Sequence, residues 1–435
     1  MKKNLLKGLF CVIMVLQILE ISAQAVKITG EVRTRTEMRN GFQSPIGDND
    51  SAAVVTNMRT RINLLYTSNV MKAKITLQDT RTFGQTAPNT TATANTGIYE
   101  AWGEYLIAPG VSAAIGRQAL EYDDKRLLSA SNWSNTGNAH DVLLLKYSSV
   151  GWTAHAGFAA NNAKDENVYK SVLMAGSPAK QYYKNLNFLW LTKSVGNAGT
   201  SAIFVNEAFQ KDTISKAKYG NSQLIKNNYR NTTGGNLWFN SPSFPVNCYL
   251  TGYYQFGHQY QLKKKLIQNI DAFLLAGKVQ GKLHKYCTLT VGEDYFSGTS
   301  VDVAKVGATN NSFGKLYGVN HIFNGSMEYW TTPPTQGLSD FFVGLESKPT
   351  DKLKAEAVFH KFDLPLKPAT GSKDLGSELD IACNYEVSPE LMVQAGYSVY
   401  FTTKAVNTAK SITSFSTLPI AHWAFVMVSF KPKFL

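Results

Sequence analysis

The sequence predicts an all-β fold, a transmembrane antiparallel up-and-down β-barrel, and three observations carry that prediction. The first is the run from Lys27 to Arg39. Lys27, Thr29, Glu31, Arg33, Arg35, Glu37 and Arg39 fall on one face of an extended strand, and Ile28, Val32, Thr34, Thr36 and Met38 on the other. A strand of this length crosses a bilayer. If its apolar face meets lipid, its charged face must line an enclosed polar space, because an open sheet edge cannot sit in hydrocarbon. The second observation is that no uninterrupted apolar run after residue 25 reaches the roughly 18–20 residues a spanning helix needs. The third is composition: 21 Tyr, 23 Phe and 7 Trp accompany 33 Gly and only 17% charged residues, and barrels use aromatics as interfacial girdles.

Residues 1–25 read as a secretory signal. Lys2, Lys3 and Lys7 give a positive start, residues 8–19 an apolar core, and Ala23-Gln24-Ala25 a cleavage pattern after Ala25 or Ala23. Cys11 leaves with this segment. Residues 26–435 then form one barrel domain without a linker or internal repeat. Its three cysteines, Cys248, Cys287 and Cys383, are widely spaced and odd in number, so they suggest neither a disulfide framework nor a metal site.

The alternation recurs along the chain. Arg59, Arg61 and Asn63 oppose Met58, Ile62 and Leu64; after the Ser68-Asn69 turn, Lys72, Lys74, Thr76 and Gln78 oppose Ala73, Ile75 and Leu77. Near the other end Glu378, Asp380 and Glu386 lie opposite Leu379, Ile381 and Tyr385, and the last run closes on Phe430 and then Phe434-Leu435. Short links fall near residues 68–69, 108–110, 148–151, 194–199, 241–245, 281–285, 348–351 and 388–389. Long segments lie between them at 40–56, 82–97, 119–139, 162–183, 212–226, 259–267, 298–336, 364–376 and 402–419. Eight short links and nine long ones require eighteen strands, with both termini on the short-turn, periplasmic side. Two segments leave sixteen or twenty open: 268–281 is apolar on both faces, and 298–336 has room for another hairpin.

The formal net charge of +13 becomes +11 once Lys2, Lys3, Lys7 and Glu20 are taken away. Such a balance suits an anionic partner. Export excludes nucleic acid and leaves outer-membrane lipid and lipopolysaccharide, the barrel assembly machinery, and an anionic saccharide or small anion as cargo. Arg33, Arg35, Arg59, Arg61, Lys72 and Lys74 share the inferred inner face of three neighbouring strands, where a low-dielectric wall focuses their field. Arg also pairs carboxylates bidentately. Glu31, Glu37, Glu378, Asp380 and Glu386 are the acids available to offset them.

Residues 115–147 read IGRQALEYDDKRLLSASNWSNTGNAHDVLLLKY. This segment resembles the alginate export family of outer-membrane porins at Gly116, Arg117, Gln118, Tyr122, Asp123, Asp124, Arg126, Leu127, Trp133, His140 and Asp141. Residues 292–298 (GEDYFSG), Leu316-Tyr317-Gly318 and Asn320-His321 are similar to the branch of that family found in Bacteroidetes-type bacteria. The resemblance implies an eighteen-stranded barrel whose electropositive pore passes anionic polyuronate.

Physically, the 119–139 segment is too structured for a passive tether. Tyr122 and Trp133 can pack it, and Asp123 or Asp124 can pair Arg126 and Arg117, so it is expected to fold inward and narrow the lumen, with Arg117 and Arg126 lining the path. The alternative is a surface loop pinned by exposed ion pairs worth about 0–1 kcal/mol each. There is no G-x-S-x-G elbow, no H-E-x-x-H and no close Cys/His spacing, so neither an enzyme nor a cofactor or metal is expected; His140 and His360 read as packing residues. A structural or adhesive surface barrel, with polar links such as 85–97, is the remaining alternative to a channel, monomeric or trimeric.

Overall fold

The computed structural model describes residues 25–435 except 48, 88–95, 162–182, 211–226, 242–244, 262–265, 300–307, 320, 369–370, 411 and 413–419. Residues 1–24 of the expected signal segment, the link at 162–183 apart from Tyr183, the link at 212–226 and most of 85–97 lie outside the described residues.

Among the described residues, eighteen strands form one closed sheet whose neighbours are all antiparallel. They are β1 (Ala25–Asn40), β2 (Ala53–Thr67), β3 (Met71–Thr82), β4 (Thr96–Ala108), β5 (Val111–Gln118), β6 (His140–Ser149), β7 (Trp152–Ala160), β8 (Asn185–Val195) and β9 (Ala198–Gln210). The second half comprises β10 (Asn227–Asn240), β11 (Val246–Gln261), β12 (Leu266–His284), β13 (Cys287–Phe296), β14 (Leu338–Thr350), β15 (Leu353–Asp363), β16 (Asp374–Ser388), β17 (Leu391–Phe401) and β18 (Ile420–Phe430). Each strand pairs with its sequence neighbour. The barrel closes where β1 meets β18, from Val32 opposite Phe430 to Asn40 opposite His422. Below that seam the chain end continues the pairing, with the Ile28 amide donating to the Leu435 carbonyl at 2.9 Å and Gly30 to Pro432 at 2.9 Å. Closure leaves no edge, the only form in which a sheet survives in lipid.

Alternation decides which face goes where. Ile62, Leu64, Ile75, Leu77, Ile115, Leu250, Leu275 and Phe341 are exposed on the outer wall, while Arg33, Arg35, Glu37, Arg59 and Arg61 are buried inside. This inverts the rule for water-soluble folds, because the outer solvent is hydrocarbon. No helix among the described residues is long and apolar enough to cross a membrane; the short α1 (Lys404–Ala409) belongs to the last long link.

The two ambiguous segments resolve together. The described residues of 297–337 add no hairpin to the wall: among them the strand-like piece Thr309–Asn310 lies parallel beside β12. The segment turns into the lumen instead, and that is why β12 is apolar on both faces. Ile270, Ala272, Leu274 and Ala276 point inward and are buried, in one cluster with Phe296 and Phe313. Cys248, Cys287 and Cys383 are free thiols.

Candidate functional site

The lumen is shaped by two inward segments, 119–139 and the described residues of 297–337, that meet each other and grip separate sectors of the wall. They join through a parallel contact between Leu128 and Tyr317: the Tyr317 amide donates to Leu127 O at 2.8 Å, the Ser129 amide to Tyr317 O at 3.1 Å and the Val319 amide to Lys125 O at 3.0 Å.

The first half of 119–139 is built as a fixed anchor. Leu120, Tyr122, Leu127 and Leu128 are buried. Tyr122 packs edge-on against Phe188 at 5.1 Å and donates or accepts a hydrogen bond with His155 Nδ1 at 3.0 Å. Burial raises the Tyr122 hydroxyl above its ordinary range, which keeps it neutral. Asp123, also raised by burial, accepts from Trp190 Nε1 at 2.7 Å. Arg126 is buried and held by Asp124 at 2.8 Å and by Asp294 of β13 at 2.6 Å, with Phe323 stacked 3.8 Å from its guanidinium. Burial opposes that charge, but Asp294 and Asp124 outweigh it. Arg126 is therefore a structural tie across the lumen.

The second half, 130–138, is a hairpin lying on the arginines of β1 and β2. Arg33 donates to Asn132 O at 2.6 Å and Ser134 O at 2.9 Å. Arg35 donates to Trp133 O at 2.8 Å and stacks over its ring at 4.4 Å. Arg59 donates to Asn132 O and Ser134 O, both at 3.1 Å, and Arg61 to Asn132 Oδ1 at 3.0 Å and Thr136 O at 3.3 Å. Tyr99 of β4 completes the seat: it lies 3.8 Å beneath Arg61 and donates to Asn138 O at 3.1 Å. Trp133 stacks flat on His321 at 3.7 Å, so the two inward segments touch again here.

Acidic partners on this wall are fewer than guanidiniums. Glu31 holds Arg59 at 2.7 Å, and Glu37 serves both Arg39 at 2.7 Å and Arg35 at 3.4 Å. Arg33 has only neutral acceptors, and its Nε has none among the described residues. Lys74 pairs with Glu100, and Lys72, in register with Glu104, stays exposed towards the turn side of the lumen.

The wall at β14–β16, separated from β1 only by β17 and β18, reverses the polarity. Asp340, Glu378 and Asp380, on β14 and β16, are buried and bind the tip of 297–337. The Met327 amide donates to Glu378 Oε1 at 2.7 Å, the Ser326 amide to Asp380 Oδ2 at 3.0 Å, and Asn324 Nδ2 to Asp340 Oδ2 at 3.3 Å. His360 lies between Asp340 at 2.8 Å and Asp380 at 3.7 Å, a charge-linked packing position.

One expectation is corrected. Arg117 does not line the lumen: it shares the outward face of β5 with exposed Ile115, and it pairs at 3.1 Å with half-exposed Asp141 of β6 rather than with Asp123 or Asp124. Strand parity is the reason. Gly116 sits at a φ of 128° where a Cβ would lie 2.2 Å from Ala101 O, and Gln118, the next inward residue, is buried and donates to Val142 O at 3.1 Å. His140 faces inward against Tyr183, at 2.8 Å. Sequence reading missed Tyr99, Asp294, Lys315, His321 and Phe323. Asp294 and His321 stood inside the family-like stretches at 292–298 and 320–321, whereas the others come together only through the fold.

A closed eighteen-strand antiparallel barrel with an outward apolar band and inward polar loops defines an outer-membrane porin-type protein. The alginate export family model matches residues 24–416, and the chain belongs to that family. No curated protein matches the sequence. Solved structures of similar fold include OccK11 (OpdR) of Pseudomonas aeruginosa, with a TM-score of 0.60 at 10% identity over 94% of this chain and 96% of that one. OccAB1 of Acinetobacter baumannii gives 0.61 at 10% identity over 96% and 100%. The outer membrane protein OprD of Pseudomonas aeruginosa gives 0.55 at 9% identity over 94% and 93%. The protein is an outer-membrane barrel.

Proposed function

We propose that the protein is a passive, anion-preferring channel whose cargo is an acidic oligosaccharide of the uronate class, and that it has no catalytic role. The observation that carries this reading is the arginine wall. Arg33, Arg35, Arg59 and Arg61 converge within one hairpin's length, and two carboxylates, Glu31 and Glu37, serve them together with Arg39. A buried guanidinium without a carboxylate favours any anion that can reach it. Lys72 and Lys74 extend the positive face towards the turn side, and the family supports a uronate as the anion. Binding at successive sites must stay weak enough for release.

Reconstitution in a planar bilayer under a salt gradient tests the reading. A reversal potential of anion-selective sign is expected, together with current block by tri-galacturonate and none by maltotriose. A barrel that folds but passes no ions would instead be a structural or adhesive surface protein.

A further inference from the structure

We propose that the 130–138 hairpin is a cargo-displaceable latch: its carbonyls occupy the carboxylate seats of the arginine wall, and an anionic saccharide that takes those seats releases it. The proposal rests on the channel reading above.

The acceptors are the first argument. Four cationic donors are met here by the carbonyls of residues 132, 133, 134 and 136 and by the Asn132 amide oxygen, all neutral. A carboxylate brings a full negative charge where a carbonyl brings only a dipole, and it offers two oxygens in the geometry that matches a guanidinium. An acid-bearing chain reaching this wall therefore outcompetes the hairpin, and a polyuronate does so repeatedly because its carboxylates recur along the chain.

The construction of the loop is the second argument. Its fixed half, 119–128, is held by buried side chains and by Arg126 on Asp294. The hairpin has no comparable core. Asn132 and Thr136 are exposed, and its one large apolar side chain, Trp133, is only partly buried, against His321, Trp423 and Phe425. The Asn138 amide donates to Ala130 O at 2.8 Å and ties the two ends together, and Asn138 Nδ2 fixes that base to Ser129 O at 3.2 Å and Tyr317 O at 3.1 Å, so residues 131–137 can move about it as one unit. Left-handed residues stand just inside both ends: Ser131 at a φ of 48° and Gly137 at 72°. Such positions absorb the backbone rotation that a moving segment needs. Gly137 also lies where a Cβ would meet Arg61 Nη2 and the Tyr99 ring at 3.0 Å, so the hairpin backbone sits flush on the cations.

The third argument is the contrast with the neighbouring segment. Asn324, Met327, Tyr329 and Trp330 are buried to within 1% exposure, the last three packed into the apolar cluster and Asn324 bonded to Asp340, so 324–330 stays in place when the hairpin leaves. Release therefore widens the lumen on the arginine side alone.

The test uses full-length protein with Cys248, Cys287 and Cys383 replaced by Ser and a spin label at Thr136→Cys, reconstituted in vesicles. A second protein carries the label at Glu121→Cys in the fixed half. Tri-galacturonate should raise the mobile fraction at position 136 severalfold and leave 121 unchanged, while maltotriose at equal concentration does nothing. The added substitutions Arg33→Gln and Arg59→Gln should make position 136 mobile without any saccharide. If 136 stays immobile at saturating tri-galacturonate while vesicles still take that sugar up, cargo passes beneath a fixed hairpin and the latch is wrong, with the channel reading intact. If vesicles neither take it up nor show block, the channel reading fails first. Mobility induced equally by maltotriose would also overturn the latch, because the competition must be for charge.

Discussion

The two walls that hold the inward segments grip opposite ends of the peptide group. On β1 and β2, guanidiniums take carbonyl oxygens; on β14 and β16, carboxylates take amide hydrogens. The guanidinium bonds are charge-assisted bonds to neutral backbone, stronger than a neutral pair. What separates the two walls is cover. The acidic wall lies behind Met327, Tyr329 and Trp330, each no more than 1% exposed, and His360 sits among its carboxylates. The basic wall lies behind a short polar hairpin with exposed Asn132 and Thr136. Both walls are buried, Arg59 at 2% exposure and Glu378 at 0%, so under the proposed reading it is the segment covering each wall that sets which charge cargo can reach. The positive net charge of the chain points the same way but is too coarse to show it.

The comparison breaks most severely if the basic wall is inverted. Arg33, Arg35, Arg59 and Arg61 changed together to Glu should turn the reversal potential towards cations, with a permeability-ratio change on the order of tenfold, the scale of electrostatic focusing in a charged cleft. Heat-resistant mobility on gels should persist, since lumen positions tolerate charge. An unchanged potential would mean that ions do not pass this wall. Replacing residues 122–137 by a Gly/Ser linker comes next. Single-channel conductance should rise severalfold and anion preference weaken, because the segment lies across the lumen.

The acidic wall should respond with stability rather than selectivity. Glu378→Ala leaves the buried Met327 amide without its acceptor, which costs about 1–3 kcal/mol. The thermal unfolding midpoint should fall while the reversal potential barely moves; a large selectivity change would show that cargo ions feel this wall after all.

Lys315 supplies a smaller, pH-dependent effect. Burial, and then nearby Arg126, pulls its ammonium down to about 8, against the opposing pull of Asp294, Glu328 and Asp340. Lys410 is likewise lowered by burial to about 8. Anion preference should decline between pH 7 and 9 as these charges are lost, and Lys315→Gln should flatten the decline. Stability has the opposite sign. The unfolded chain holds its lysine protons up to the ordinary value of 10.5, so above about pH 8 it binds more protons than the folded one, and stability rises with pH over that window. A melting temperature that falls there would contradict the burial. Smallest and most local is Gly116→Ala, whose φ of 128° and clash with Ala101 O should cost about 1–3 kcal/mol without moving selectivity.

The barrel was legible in the sequence because each strand carries its own instruction. Alternation from Lys27 to Arg39 assigns two faces, short and long links assign direction, and counting them yields eighteen strands; all of this is local. The inward charges of β1, β2 and β3 were legible for the same reason. Arg117 was misplaced because it was read with the loop that follows instead of by the parity of β5, which turns it outward beside Ile115. What only the tertiary structure decided is where the two long segments go and what they hold. Arg33 meets Asn132 99 positions away, and Arg126 meets Asp294 168 positions away. Nothing periodic encodes such contacts. A backbone carbonyl offers an arginine the same acceptor whatever residue bears it, so the sequence shows that the guanidiniums are there and only the fold shows that a loop, and not open water, lies against them.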